Sequence, residues 1–333
     1  MKLAIITLTD QGKELAFEIK QRLTDDPTVI KCDLYNKQVN NTLKTIFKDY
    51  DCILGIMASG IMVRSLCKVI RDKKQDPAVL VMDEKANHVI SLLSGHLGGA
   101  NDYTYKIANL CRADPVITTA TDVNNKMGID SLARKYYFEI EHPGNILHIN
   151  KALANGETVN LEVPEKFNYM LADDGVKKSY RIISSNNNLK AVYQGCKVVL
   201  TPKKLVVGLG ARKGVSTESV LEAVQKACKT LGITKNRIDY LATAEPKENE
   251  PGILEAANIL RVPLKIVPLA LLKNFKHPEV TESSFVQKKF GVPGICEPAA
   301  LHIAGEKSHI VYCKTAFNRV TVAVSVSENK TRS

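Results

Sequence analysis

Short apolar runs that end in Gly, Ser or Asp, and then give way to apolar residues at helical spacing, recur along most of this chain. Buried strands feeding helices in α/β units produce that pattern. Lys2–Leu8 is the first run, and Asp10 is the expected cap of a helix through Ala16, Ile19 and Leu23. Val29–Leu34, a helix at Leu43–Phe47, the doubly apolar Cys52–Met57, and Val79–Met82 continue the series. Val89–Leu93, a helix with Tyr103, Ile107, Leu110 and Cys111 on one face, and the strand Pro115–Thr118 complete it. Beyond Asp130 the texture changes to one helix, Ile146–Ala154, and short β-like runs separated by Asn, Asp and Gly turns. Leu205 restarts the first pattern, with helices ending near Leu231 and Arg261 and a closing pair at Ile310–Cys313 and Val320–Val326. The expected fold class is α/β. Two α/β domains with mainly parallel sheets, residues 1–130 and 204–333, are joined by a small α+β middle module, residues 131–203, expected to wall a cleft between them.

Polar elbows follow three of the N-terminal strands, at Ser59, Gly95 and Thr119. Parallel strands would bring all three to one sheet edge, where open α/β sheets build ligand sites. Ser59 and Gly60 open a helix that carries Arg64, an arrangement that suits an anion and is also an ordinary Ser/Gly helix start. The stretch Asn87–Asn101 (NHVISLLSGHLGGAN) places His88 before an apolar strand and His96 in the glycine-rich loop after it. In the C-terminal half, Gly208, Gly210 and Gly214 miss the dinucleotide spacing by one residue, and Asp239 begins a strand where an acid should end one. Arg212 and Lys213 still equip that loop for a carboxylate or phosphate.

A net charge of +11 adds a preference for an anionic partner. Dispersed lysines, no Trp and 6% aromatics argue against nucleic acid. Eight cysteines without a C-x-x-C or zinc spacing read as reduced thiols. No segment has a signal-peptide core or membrane-spanning length, so a cytoplasmic protein without membrane contact is expected.

Several motifs in order, GIMVR at 60–64, SGHLGGAN at 94–101, VITTATD at 116–122, GLGARKG at 208–214, Lys247 with Glu250, GVP at 291–293, EPAAL at 297–301 and Lys314, resemble the cobalt-precorrin-5A hydrolases of anaerobic cobalamin biosynthesis. The resemblance implies opening of the ring-A δ-lactone of a cobalt corrinoid, with C20 and its methyl group leaving as acetaldehyde. It implies a substrate fringed with carboxylates, which gives the positive charge a partner. Cobalt arrives inside that macrocycle, so neither a cofactor nor a protein metal site is expected. It leaves open a homodimer and transient contact with methyltransferases of the pathway. Relatives carry a Cys after G-x-G where this chain has Ala211, which excludes a thiol role there.

For that reaction, His96, Asp122 and Asn101 are the catalytic candidates, with His96 the natural base and Asp122 an orienting acid or the base itself. Helix capping by Asn101 or Asp102 is the plain alternative. His88, a strand length away, is expected to be scaffold. Substrate binding is assigned to Ser59, Gly60, Arg64, Gly95, Gly98, Gly99, Thr119, Thr121, Gly208, Gly210, Arg212, Lys213 and Glu297. The loop glycines are read as clearance for a flat macrocycle. Arg212 and Lys213 are expected across a cleft from His96 and Asp122. Lys247 and Glu250 read as a helix-surface pair. Two other functions fit parts of the chain: a non-catalytic corrinoid carrier and a nucleotide-binding α/β protein.

Overall fold

The computed structural model describes residues 1–72 and 75–328. It divides into two compact units, Met1–Arg134 with Ile140–Leu200, and Lys135–Glu139 with the chain from Thr201 onward.

The first unit opens with a six-stranded sheet ordered β2-β1-β3-β4-β5-β6. Its strands are β1 (Lys2–Thr7), β2 (Lys31–Asn36), β3 (Cys52–Ile56), β4 (Ala78–Met82), β5 (His88–Leu93) and β6 (Asp114–Val116). Its helices are α1 (Asp10–Arg22), α2 (Val39–Ile46), α3 (Ser59–Leu66), α4 (Ala100–Cys111), α5 (Ala120–Val123) and α6 (Ile129–Lys135). Every residue of β3 and β4 is buried, because helices cover both faces. Leu54, Ile56, Leu80 and Met82 pack with residues of α1 and α4, while Ile53, Val79 and Val81 pack with residues of α2 and α3. The cap of α1 is Thr9, whose side chain accepts from the Gly12 N–H, one residue before the expected Asp10.

The sheet departs from the expected all-parallel edge at β5, which runs antiparallel to β4. Only residues 83–87 connect the two strands, far fewer than the dozen or more that a parallel crossover needs. Asp83 stabilises the turn by accepting from the backbone N–H groups of Lys85 and His88 at 3.0 and 2.8 Å. β6 is parallel to β5. The Gly95 and Thr119 elbows therefore share one sheet edge. Ser59, Gly60 and Arg64, at the carboxyl end of β3, lie at the opposite one, which corrects the convergence of three elbows.

The same unit contains a second sheet, ordered β7-β11-β10-β8-β9. It comprises β7 (Phe138–Glu141), β8 (Asn160–Pro164), β9 (Arg181–Ser185), β10 (Leu189–Tyr193) and β11 (Cys196–Pro202), with helices α7 (Ile146–Ala154) and α8 (Asp174–Ser179). Helix α7 buries Ile146, Ile149, Ala152 and Leu153 and packs against α5. The middle module is thus compacted onto the N-terminal sheet.

The second unit has the sheet order β14-β13-β12-β16-β15. Its strands are β12 (Leu205–Ala211), β13 (Tyr240–Ala244), β14 (Leu264–Val267), β15 (Ser308–Phe317) and β16 (Val320–Ser327). Its helices are α9 (Thr217–Thr230), α10 (Pro251–Leu260), α11 (Leu269–Lys273), α12 (Ser284–Phe290) and α13 (Cys296–Ala304). β12, β13 and β14 are parallel, but β15 and β16 form an antiparallel hairpin turned by Asn318 and Arg319, at φ 38° and 72°. Parallel pairing is therefore only part of this sheet. Gly208 lies directly under α13, where a Cβ would stand 1.9 Å from the Cys296 carbonyl oxygen. Its lack of a side chain serves helix-on-sheet packing. Arg237, only 2% exposed, ties Lys135–Glu139 into this unit by donating to the carbonyls of Tyr136, Tyr137 and Lys203.

Candidate active site

The site starts from the turn between β5 and α4. Ser94 takes a left-handed φ of 59°, and three backbone bonds (Gly99 N–H to the His96 carbonyl, Ala100 N–H to Ser94, Asn101 N–H to Gly95) close a tight loop that projects His96. The glycines around it are filled by this chain's own atoms. A Cβ on Gly95 would lie 2.8 Å from Asn101 Oδ1, and one on Gly98 would lie 2.4 Å from Ser94 Cβ. Gly99, at φ +83°, lies under the Arg134 guanidinium, 2.1 Å from where a Cβ would be. Clearance for a macrocycle is therefore replaced by clearance for Asn101, Ser94 and Arg134.

His96 stands between two carboxylates. Its Nε2 is 2.9 Å from Asp122 Oδ2 and its Nδ1 is 3.1 Å from Asp130 Oδ2, and its side chain is 13% exposed. Asp122 Oδ2 also accepts from Asn101 Nδ2 at 3.2 Å and Thr121 Oγ1 at 3.3 Å. Thr121 Oγ1 lies 3.0 Å from His96 Nε2, Asn101 Nδ2 donates to Thr119 Oγ1 at 2.9 Å, and Ser91 Oγ donates to Asn101 Oδ1 at 2.7 Å. Asn101, 4% exposed, is thus a bridge between β5, α4 and α5, and the helix is capped by Gly99 instead.

Burial disfavours a charged imidazole here. The hydrogen bonds and charges of Asp122 and Asp130 outweigh it and raise the His96 pKa from an ordinary 6.5 to about 10. Asp130 is the counterpart. Burial pushes its carboxyl up, and His96, followed by Asn150, more than reverses this and holds it below the usual carboxylate range. At neutral pH the raised value keeps His96 as an imidazolium between the Asp122 and Asp130 side chains.

Stability should follow the same groups. The His96 contribution is fully present below about pH 6.5 and is lost as pH rises through about 10, while that of Asp130 is lost only as pH falls through its lowered value. In urea unfolding across that alkaline window, the wild type should lose stability relative to a His96→Gln variant. Parallel curves would contradict the clamp.

A pocket of about 630 Å³ opens beside this cluster, lined by Ser91–Leu97, Thr118–Thr121 and Asp130 and, from the middle module, by Ile146, Leu147, Asn150, Lys151 and Asn155 among others. Asp122 stands behind His96 and Thr121, outside that lining, with its side chain 27% exposed. A larger recess of about 800 Å³ near Lys166, Asn186 and Lys197 has no histidine or cysteine in its walls.

The structure thus brings together His96, Asn101, Asp122, Gly95, Thr119 and Thr121. Gly98 and Gly99 shape the same loop. Ser59, Gly60 and Arg64 are elsewhere, and Arg64 Nη1 donates to the carbonyl of Gly60 at 3.2 Å. In the second unit, Arg212 and Lys213 are exposed on their loop, and a Cβ on Gly210 would meet Thr321 Oγ1 at 2.5 Å. Glu297 is 1% exposed and accepts from the backbone N–H groups of Thr281 and Lys314, at 2.7 and 2.9 Å, a structural tie that leaves it inaccessible to a ligand. Glu250, 7% exposed, accepts from the Gly214 and Val215 N–H groups and pairs with Lys247, so it pins the GLGARKG loop where a surface pair was expected. His88 is exposed at the far end of β5.

Three residues were missed by the sequence reading: Asp130, Asn150 and Ser94. Asp130 is the second residue of the short helix α6, at the border expected between the N-terminal domain and the middle module. Asn150 lies in the module assigned to linking. Ser94 Oγ is buried without a hydrogen-bond partner among the described residues, beside His96 in the pocket wall. Its place as the first residue of the S-G-H turn was the available signal for it.

Comparison with known proteins bears on what this cluster serves. The family described as cobalamin synthesis G N-terminal matches residues 41–122, and cobalamin synthesis G C-terminus matches residues 205–325. A Methanocaldococcus jannaschii protein named "probable cobalt-precorrin-5A hydrolase" is 34% identical over 98% of this chain and 99% of its own length. This chain belongs to the cobalt-precorrin-5A hydrolase family. A family member from Salmonella typhimurium, named cobalt-precorrin-5A hydrolase, is 32% identical over 78% of each chain. The crystal structure of a cobalamin biosynthesis protein G homologue from Sulfolobus solfataricus superposes with a TM-score of 0.61 at 27% identity, covering 98% of this chain and 97% of that one. As a family member, the chain is an enzyme of cobalamin biosynthesis. Among the described residues no helix is long and apolar enough to cross a membrane, and no group of three His, Cys, Asp or Glu side chains is placed to hold a metal ion.

Proposed function

We propose that this enzyme hydrolyses the ring-A δ-lactone of cobalt-precorrin-5A and releases acetaldehyde, giving cobalt-precorrin-5B. The observation that carries the reading is the clamped His96 in the wall of a pocket large enough for one edge of a macrocycle, in a chain whose relatives bear that name. Lactone opening consumes one water. The acyl C–O bond breaks, the carboxylate forms, and the C20 oxygen must receive a proton. His96, held as imidazolium, is the donor for that oxygen. Asp122, behind His96 and outside the pocket lining, is the orienting acid that balances the imidazolium through Oδ2, and the protons of the attacking water pass to solvent as the carboxylate forms. In the second step the C20 hydroxyl loses its proton, the C1–C20 bond breaks, and acetaldehyde departs while the electron pair stays with the macrocycle. The neutral imidazole left by the first step is the base for this one.

Turned about its Cα–Cβ bond from its buried position toward the pocket that Ser94 lines, the hydroxyl supplies a hydrogen bond to the developing lactone oxyanion. A buried hydroxyl without a partner costs about 1–3 kcal/mol, and substrate would relieve that cost. Ser94→Ala should therefore fold at least as stably as the wild type, yet lose about tenfold to a hundredfold in kcat. A thermal-melting and turnover comparison that showed lowered stability and full activity would remove this role. The activity itself is tested by incubating the protein with cobalt-precorrin-5A and following acetaldehyde and product mass. Binding without acetaldehyde would select a corrinoid-carrier function instead.

A further inference from the structure

Asn150 is a partly buried amide on α7 whose two ends both reach α6. Its Oδ1 accepts the Ile129 N–H at 2.9 Å and its Nδ2 donates to Asp130 Oδ1 at 2.8 Å. The other oxygen of Asp130 faces His96 Nδ1 at 3.1 Å. The backbone is moulded round this relay. A Cβ on Gly128 would lie 2.7 Å from Asp130 Oδ1 and 3.2 Å from both terminal atoms of Asn150. An amide suits this place, because one end accepts and the other donates. An aspartate at 150 would set two acceptors against each other, and a leucine would strip Ile129 of its partner.

We propose that Asn150 and Asp130 are positioning residues for His96, so that the middle module, through α7, fixes the orientation of the imidazole and belongs to the active site. This rests on the activity proposed above for His96. A carboxylate that orients a histidine needs a partner of its own. Such outer partners of functional histidines typically change activity by about ten- to a hundredfold when removed. Asp122 could not do this alone. It holds Nε2, the nitrogen that must be released to the substrate, whereas Asp130 holds Nδ1 throughout the reaction. The charged groups that face His96 are Asp122 from α5 and Asp130 from α6, with Lys151 of α7 lining the same pocket. On the β5 and α4 side, the uncharged Ser91 and Asn101 are bonded to each other, and Asn101 donates to Asp122. Arg134 is turned away and pairs with Asp102 at 2.6 Å.

The test uses the full-length protein with Asn150→Leu and Asp130→Asn, the second nearly isosteric and retaining the fold if the first does not. Nitrogen NMR of labelled histidine, assigned with His96→Gln, follows the His96 ring without substrate. Acetaldehyde release from cobalt-precorrin-5A is measured across pH. In both variants the ring should titrate at lower pH than in the wild type, further in Asp130→Asn. The alkaline limb of the rate profile should move the same way, and kcat should fall about ten- to a hundredfold with KM changed less than about threefold. A His96 titration and alkaline limb unchanged in folded Asp130→Asn would overturn the proposal. A rise in KM alone would also overturn it, because it would make Asp130 a binding group. If the wild-type protein released no acetaldehyde, the proposed activity would fail while the ring titration still decided whether this relay sets the state of His96.

Discussion

Replacing His96 with Ala is expected to lower acetaldehyde release from cobalt-precorrin-5A by about a hundredfold to ten-thousandfold, the range typical of a positioned acid or base. The size of the effect follows from how much of the site meets at this ring. Both nitrogens are held by carboxylates and Thr121 lies beside Nε2, and the proposed reaction draws from the imidazolium the proton that the opened lactone oxygen needs. The substitution also leaves Asp122 and Asp130 without the cation between them. Repulsion would then raise the pKa of one carboxylate, so the loss of stability should shrink in acid. His96→Gln separates the roles, because it can hydrogen-bond to Asp122 or Asp130 and cannot carry the proton. It should recover stability and remain inactive. Near-wild-type kcat in a folded His96→Ala protein would remove His96 from the mechanism.

Arg237→Ala is expected to destabilise the second unit by about 1–3 kcal/mol, the cost of taking a charged donor from buried hydrogen-bond acceptors. The guanidinium is 2% exposed, and its donors reach three backbone carbonyls and Asp239 Oδ2 at 2.8 Å, which itself accepts the Leu205 N–H at 2.7 Å. The side chain also lies over the Phe138 ring at 5.5 Å. Truncation would take a charged donor from each of these acceptors, although the Tyr137 carbonyl keeps the Lys203 N–H and Asp239 keeps the Leu205 N–H. Lys at this position keeps the charge without the planar fork and should recover part of the loss. Urea unfolding followed by circular dichroism gives the number. A change under about 1 kcal/mol would show that the carbonyls find other donors.

Much of the fold was readable because its strands are either fully buried runs, such as β3 and β4, or end in glycine and serine before a helix with a clear apolar face. Helix α7 has the expected bounds. The direction of β5 was misjudged. Apolar patterning does not encode strand polarity, although the five residues between Met82 and His88 do, since a parallel crossover cannot be made from them. That single reversal separated Ser59, Gly60 and Arg64 from the site and left the Gly95 and Thr119 elbows together.

Within the site, His96, Asn101 and Asp122 were legible because they stand at polar elbows after strands, where chemistry is usually placed. Asp130 and Asn150 were not. Each follows an isoleucine in an unremarkable short helix, Ile129 before Asp130 and Ile149 before Asn150, and only the packed fold brings them to the imidazole. The glycines were legible as necessary and misread as to why. A sequence shows where a side chain is absent, and only the folded chain shows that Asn101, Ser94 and Arg134 occupy the space.

The central claim is that water opens the lactone at its acyl carbon in the His96 pocket before acetaldehyde leaves. The most direct measurement is single turnover of cobalt-precorrin-5A by the wild-type protein in heavy-oxygen water, with mass analysis of the corrinoid product alongside acetaldehyde. One heavy oxygen in the ring-A acetate carboxylate, and one acetaldehyde per product, are expected, with both lost in His96→Ala. Acetaldehyde released with no label in that carboxylate would contradict the account.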